Sequence, residues 1–252
     1  MAIPSTSSSD ASETAGSGAP VHNHEDKQAA PLASVSGNGP AIAAISAHIE
    51  AHLGPIRGVY HELIAEVPLA VHIVAPSAEF AFYTLVTSGM SDQPMLTPPG
   101  APASKVPSYA ELCLLLPSTW LLPTDPAEVE QAFRDESNYW PIRWLKLLAR
   151  LPHEYHTWLG FGHTVPNGEE AAPFAPTTRL GCLLVLTAIS LPEEFQTLIL
   201  SPDKTIHFYT LYPIYPEEMT LKMALGVDAL LDRFEEYDVS DVLDPTRPSV
   251  AQ

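Results

Sequence analysis

A chain of 252 residues with 46% hydrophobic side chains can bury one substantial core. Its formal net charge of −18 repels phosphate backbones and excludes nucleic acid as a direct ligand. The same charge reads either as a device that keeps the protein soluble or as a field that attracts a basic protein and speeds the encounter with it.

Residues 1–40 are rich in Ser, Ala, Gly and Pro and bury too little apolar surface to offset the entropy of ordering, so they read as a disordered tail. They carry neither the basic region nor the apolar region of a secretory signal. His22 and His24 lie in this tail and read as solvated. A helix is predicted from Gly39 to Leu53, because Ile42, Ile45, Ile49 and Leu53 share a face and Gly54-Pro55 stops it. Strands are predicted at Gly58 to Val67, Leu69 to Ala75 and Phe80 to Ser88, the first two joined by a hairpin at Val67-Pro68. Phe80 to Val86 is apolar on both faces and suits a central strand.

Gly89 to Pro107 is a long, Pro-rich loop, the kind of connection that in a compact domain carries function or disorder. Tyr109 to Leu116 returns as a strand. Pro126 to Asp135 predicts a helix capped by Asp125. The next helix, Trp140 to Leu151, has Asn138 at its cap. It places Trp140, Trp144, Leu147, Leu148 and Leu151 on one face and ends at Pro152. Strands follow at His156 to Thr164, Leu180 to Ala188, Phe195 to Leu200 and Thr205 to Tyr212, with an exposed loop from Pro166 to Thr177. Helical segments from Pro216 to Tyr237 carry a core stripe of Val227, Leu230, Leu231 and Phe234. Residues 239–252 read as a loose tail. The result is an α+β single domain over residues 41–238, with a mixed, mostly antiparallel sheet and packed helices. No run is long and apolar enough for a membrane span. Cys113 and Cys182 sit in apolar runs and read as buried thiols of a reducing, cytoplasmic compartment.

Four blocks carry a resemblance. They are HIEAHLGPIRGVYHEL from His48, FYTLVTSGMSDQPM from Phe82, WPIRWLKLLARLPHEYHTWLGFGHTVPN from Trp140 and FYTLYPIYPEEMTLKMALGVDALLDRF from Phe208. In this order they resemble the suppressor of fused domain family in its short bacterial form. The resemblance implies a binding fold without established metal or cofactor. In bacteria it implies immunity proteins that neutralise toxins by occlusion, and in animals it implies transcriptional-pathway repressors that bind a partner peptide.

The richest chemistry lies between Trp140 and Asn167, where three Trp, three His, a Tyr and a Phe gather. Met90, Asp92 and Met95 on the turn after the third strand, with Tyr155, His156, Trp158 and His163, are the candidate partner-binding residues. Aromatics with polar tips make good interface anchors, and Met adapts to varied partners. The competing reading is that these side chains hold the core together. Asp92 also suits a tight turn at Gly89, where it would bond nearby backbone N–H groups.

An alternative is a metal-dependent hydrolase built on His153, Glu154, His156 and His163. The spacing is not that of the HExxH helix motif, and three-apart positions in a strand or turn tend to face opposite sides. GxSxG is absent, and Gly160-Phe161-Gly162 lacks the third glycine of a dinucleotide loop. The resemblance thus implies a non-enzymatic binding domain, with no cofactor, whose partner is a protein such as a basic toxin domain, and the net charge fits a basic partner.

Overall fold

The computed structural model describes residues 39–61, 69–98, 106–123, 128 and 131–251. The expected tail lies outside the described residues, except that the first helix begins at Gly39. The hairpin turn at Val67-Pro68 and the cap of the Pro126 helix also lie outside them.

The first helix, α1 (Gly39–His52), buries Ile45, Ile49 and Leu53, and ends where Gly54 takes a φ of 107°. Strands β1 (Ile56–His61), β2 (Ala70–Val74), β3 (Phe82–Ser88) and β4 (Tyr109–Pro117) form an antiparallel meander. Helix α2 (Glu136–Glu154) follows, then β5 (Thr164–Pro166), β6 (Cys182–Leu186), β7 (Thr197–Ser201) and β8 (Lys204–Ile214). Helices α3 (Pro216–Leu225) and α4 (Val227–Glu236) come last, hinged at Gly226 with a φ of 96°.

The strands form one sheet in the order β1-β2-β3-β4-β8-β6-β5, with β7 also paired to β8. The β4–β8 pair is parallel and the others are antiparallel, as the α+β reading requires. Residues of β4 alternate between two cores. Leu112, Leu114 and Leu116 face α2, whereas Cys113 and Leu115 face α1. A third cluster under α3 and α4 gathers Leu184, Tyr212, Ile214, Leu230 and Phe234. Helices thus cover both faces, which explains the nearly continuous apolar runs in the central strands. Cys113 and Cys182 are free and buried. Among the described residues, no helix is long and apolar enough to cross a membrane.

Helix α2 departs from the expected bounds at both ends. Asp135, not Asn138, caps it, accepting from Ser137 N at 2.9 Å. The helix runs through Pro141 and on past Pro152 to Glu154. Each proline removes one ladder bond, but both are buried with Trp140, Ile142, Trp144, Leu145 and Leu148, and that packing outweighs the loss. Leu147 turns outward at 37% exposure, so the apolar stripe is narrower than its spacing suggested.

The strand expected from His156 to Thr164 is a turn and an irregular crossing; extended pairing is confined to Thr164–Pro166. Positive φ at His156 (50°) and Gly162 (83°) breaks the extended run. The Pro166 to Thr177 loop is not wholly exposed. Phe174 stacks on Trp140 with ring centroids 4.9 Å apart, and Ala171 and Ala175 are buried. A Cβ at Gly181 would lie 2.1 Å from the Ala171 carbonyl oxygen, so this close approach requires glycine.

The C-terminal segment packs onto the domain instead of trailing as a loose tail. Asp241 accepts from Ile189 N, Ser190 N and Ser190 Oγ at 2.5–2.8 Å. Val242 bridges Leu115 in parallel, and Val250 is 2% exposed within the third cluster. These partners lie far back in the sequence, so nothing local announced them.

Candidate functional site

The geometry starts at Glu111, on β4 between Ala110 and Leu112. Its carboxylate is fully buried. Oε1 accepts from Gly89 N (3.0 Å), Ser91 N (2.9 Å) and Ser91 Oγ (2.6 Å), and Oε2 accepts from Thr87 Oγ1 (2.6 Å). Gly89, at φ 114°, lets the chain leave β3 and fold its N–H groups onto this carboxylate. Burial raises the Glu111 pKa, and the four donors oppose that shift.

The same turn is held from the other side by α2. His153 Nε2 donates to the Met90 carbonyl at 2.8 Å. Burial lowers the His153 pKa, while the Met90 carbonyl and the charges of Asp92 and Glu154 raise it. Farther along, Leu159 N donates to Met95 Sδ at 3.4 Å and Leu96 N donates to Thr157 O at 3.1 Å. The two segments singled out in the sequence, Met90 to Met95 and Tyr155 to His163, therefore lie side by side.

Their residues divide by exposure. Met90 and Met95 are buried, at 0% and 4%, and anchor the turn from within the core. Asp92 is half-buried beside His153. Tyr155 is 45% exposed, His156 is exposed, and Leu96, which the sequence did not mark, is 64% exposed. Trp158 is half-buried against the core and its ring meets that of His163 at 4.1 Å. Gly160 makes room for that indole: a Cβ there would meet the Trp158 ring at 2.9 Å. Leu96, Tyr155, His156, Trp158 and His163 thus make a mainly aromatic ledge along two segments that these bonds hold together.

The residues of the hydrolase alternative are engaged in packing contacts. The Nε2 of His153 is committed to a backbone carbonyl, and His163 packs on Trp158. Among the described residues, no three His, Cys, Asp or Glu side chains are grouped to hold a metal ion. Beside the ledge, a groove of about 420 Å³ opens between Phe161, Thr187, Gln196, His207 and Tyr209. It carries no formal charge.

His72 on β2 supports the same corner. Its Nε2 lies 2.9 Å from Ser88 Oγ, and burial pushes its pKa down to about 4, with His61 adding to the shift. A depressed imidazole pKa means that the unfolded chain binds the proton more tightly. Stability is present above the unfolded value of about 6.5 and is lost as pH falls toward 4. His72→Gln should flatten the pH dependence of the melting temperature between 6.5 and 4, removing up to about 3 kcal/mol of that loss. Parallel slopes for the two proteins would refute this assignment.

A family model described as Suppressor of fused protein (SUFU) matches residues 65–248. No curated protein matches the sequence. Solved structures share the fold. A SUFU homologue from Neisseria gonorrhoeae is 16% identical, with a TM-score of 0.60 over 84% of this chain and 98% of that one. A chain of the Sufu–Fu complex is 14% identical, with a TM-score of 0.55 over 83% of this chain and 92% of that one. Drosophila Suppressor of Fused is 16% identical, with a TM-score of 0.57 over 84% of this chain; only 51% of the Drosophila chain is covered, so this chain spans about half its length.

Proposed function

The chain belongs to the suppressor of fused family, and from that premise we propose that it is a non-enzymatic binding protein that neutralises a basic toxin domain in the cytoplasm by occluding it. The observation that carries the reading is the aromatic ledge. Tyr155 and Leu96 stand exposed on a base clamped by Glu111 and His153, so little entropy is lost when a partner docks on them. A net charge of −18 supports the choice of a basic partner, whose encounter it accelerates. One of the similar structures is itself a complex of Sufu with a protein, Fu, which fits a family fold used for binding.

The test is capture by the tagged, full-length chain from its native host at low and then high salt, with bound proteins identified by mass spectrometry. One basic protein should be retained at low salt and largely released at high salt. Tyr155→Ala should weaken that capture by about 1–2 kcal/mol in affinity and leave the melting temperature within about 2 °C, because the ring is 45% exposed. Capture of nothing specific at either salt sinks the reading. A Tyr155→Ala protein that binds as well as the parent moves the interface away from the ledge.

A further inference from the structure

Among the described residues, strand β7 has a partner on one side only. Ile206 of β8 pairs with Tyr109 of β4 on one edge and with Leu198 of β7 on the other. Among the described residues, nothing pairs with the outer edge of β7. Edge strands are blunted by charge, proline, short length or a bulge. This one reads TLILS, with no charge and no proline; its protection is its five-residue length and a bulge against β8.

Its exposure alternates strictly. Thr197, Ile199 and Ser201 face solvent, with Ile199 at 73%, while Leu198 and Leu200 pack into the cluster beneath α1. The strand is also close to a palindrome about Ile199. An antiparallel copy related by a two-fold axis through Ile199 places Leu198 opposite Leu200, Thr197 opposite Ser201 and Ile199 opposite itself. Leucines meet leucines on the covered face, and a Thr–Ser pair flanks an Ile–Ile pair on the open face, all favourable cross-strand neighbours. A strand so nearly symmetric about its centre presents matching cross-strand neighbours to a second copy of itself.

We infer that β7 is the contact through which two copies of this chain pair edge to edge, as an isologous dimer centred on Ile199. The strand is only five residues long and is bulged against β8 between Ile199 and Ser201, which limits growth to a closed pair. Each copy brings a charge of −18, so repulsion opposes the dimer and salt strengthens it. This response is opposite in sign to that of the toxin complex, and either interaction can fail without the other.

Sedimentation velocity over a concentration series, at low and at high salt, reads the association directly. The dimer fraction should rise with both concentration and salt. Ile199→Lys, which adds a charge on the open face and leaves the β8 ladder intact, should weaken the dimer at least about tenfold. Ile199→Cys places two thiols face to face across the axis, within disulfide reach. The native cysteines are buried, so background crosslinking is low. Under mild oxidation it should crosslink at least about tenfold faster than the control Ile189→Cys, which is also exposed but lies off the strand. A chain that stays monomeric throughout, a dimer indifferent to Ile199→Lys, or crosslinking at 199 no faster than at 189 would each overturn the proposal.

Discussion

Arg247→Ala should lower the unfolding free energy by about 3–5 kcal/mol. Glu218 is fully buried on the first turn of α3. Its two oxygens accept from Arg247 Nη1 and Nη2, each at 2.6 Å, in a bidentate pair. They also accept from Tyr215 N and Val250 N, each at 2.9 Å. The guanidinium lies over the rings of Tyr215 and Phe234. Tyr215 Oη donates to the Arg247 carbonyl. Removing the guanidinium leaves a carboxylate in the core without its counter-charge, and the packing over two rings goes with it. Because the pair also fastens the C-terminal segment, proteolysis near residue 245 should accelerate in the variant. A double change, Arg247→Leu with Glu218→Met, should cost less than Arg247→Ala alone, since it removes the stranded charge. Urea unfolding of the three proteins decides the matter. An Arg247→Ala midpoint equal to the parent's would mean that the ion pair contributes nothing net.

Glu111→Ala should be comparably damaging, about 3–5 kcal/mol. The carboxylate is the common acceptor for Gly89 N, Ser91 N and two hydroxyls. Its loss strands four buried donors and opens a cavity under the turn. Glu111→Gln keeps one carbonyl for the three donors on Oε1 and disturbs mainly Thr87, so about 1–2 kcal/mol is expected. The two variants also differ in their dependence on pH. Burial raises the Glu111 pKa, so the folded protein holds that proton more tightly than the unfolded chain does. This contribution is complete below the unfolded carboxylate value and is lost as pH rises through the folded one. Gln carries no charge to bury, so the gap between Glu111→Gln and the parent should narrow as pH rises. Chemical denaturation from acid to mildly alkaline pH measures it; a gap that widens with pH would contradict the assignment. The binding consequence follows the same path. A loosened turn frees the Met90 carbonyl from His153 and slackens the ledge, so Glu111→Ala protein that still folds should bind its partner less well than Glu111→Gln.

The elements that were readable along the chain are those whose signal is local. Helix α1 was bounded correctly because isoleucines recur on one face and Gly54 ends it in a conformation open to glycine. Strands β2 to β4 were readable because a strand covered on both faces is apolar at most of its positions. The local signal misled where packing overrode it. Pro152 was read as a stop, yet the helix continues because the ring is buried. His156 to Thr164 has the composition of a strand, but positive φ at two positions turns it aside. For the ledge, the sequence singled out two segments that prove to be neighbours, and it could not sort their members by burial. Met90 and Met95 went into the core, and Leu96 came out. Glu111 escaped notice although a lone acid in the run YAELCLLLP was a signal to follow, since a carboxylate among leucines must find donors.

By itself, then, the sequence determined the family, the α+β class, the spacing of most strands and the net charge of −18. These follow from residue periodicity, turn chemistry and total charge, which need no knowledge of distant neighbours. Only the tertiary structure decided that residues 239–251 are part of the domain and that Glu111 and His153 clamp one turn from opposite sides. It alone showed that, among the described residues, nothing pairs with the outer edge of β7. Each of these depends on groups far apart in sequence, joined by hydrogen bonds whose strength comes from a dry interior that exists only after folding.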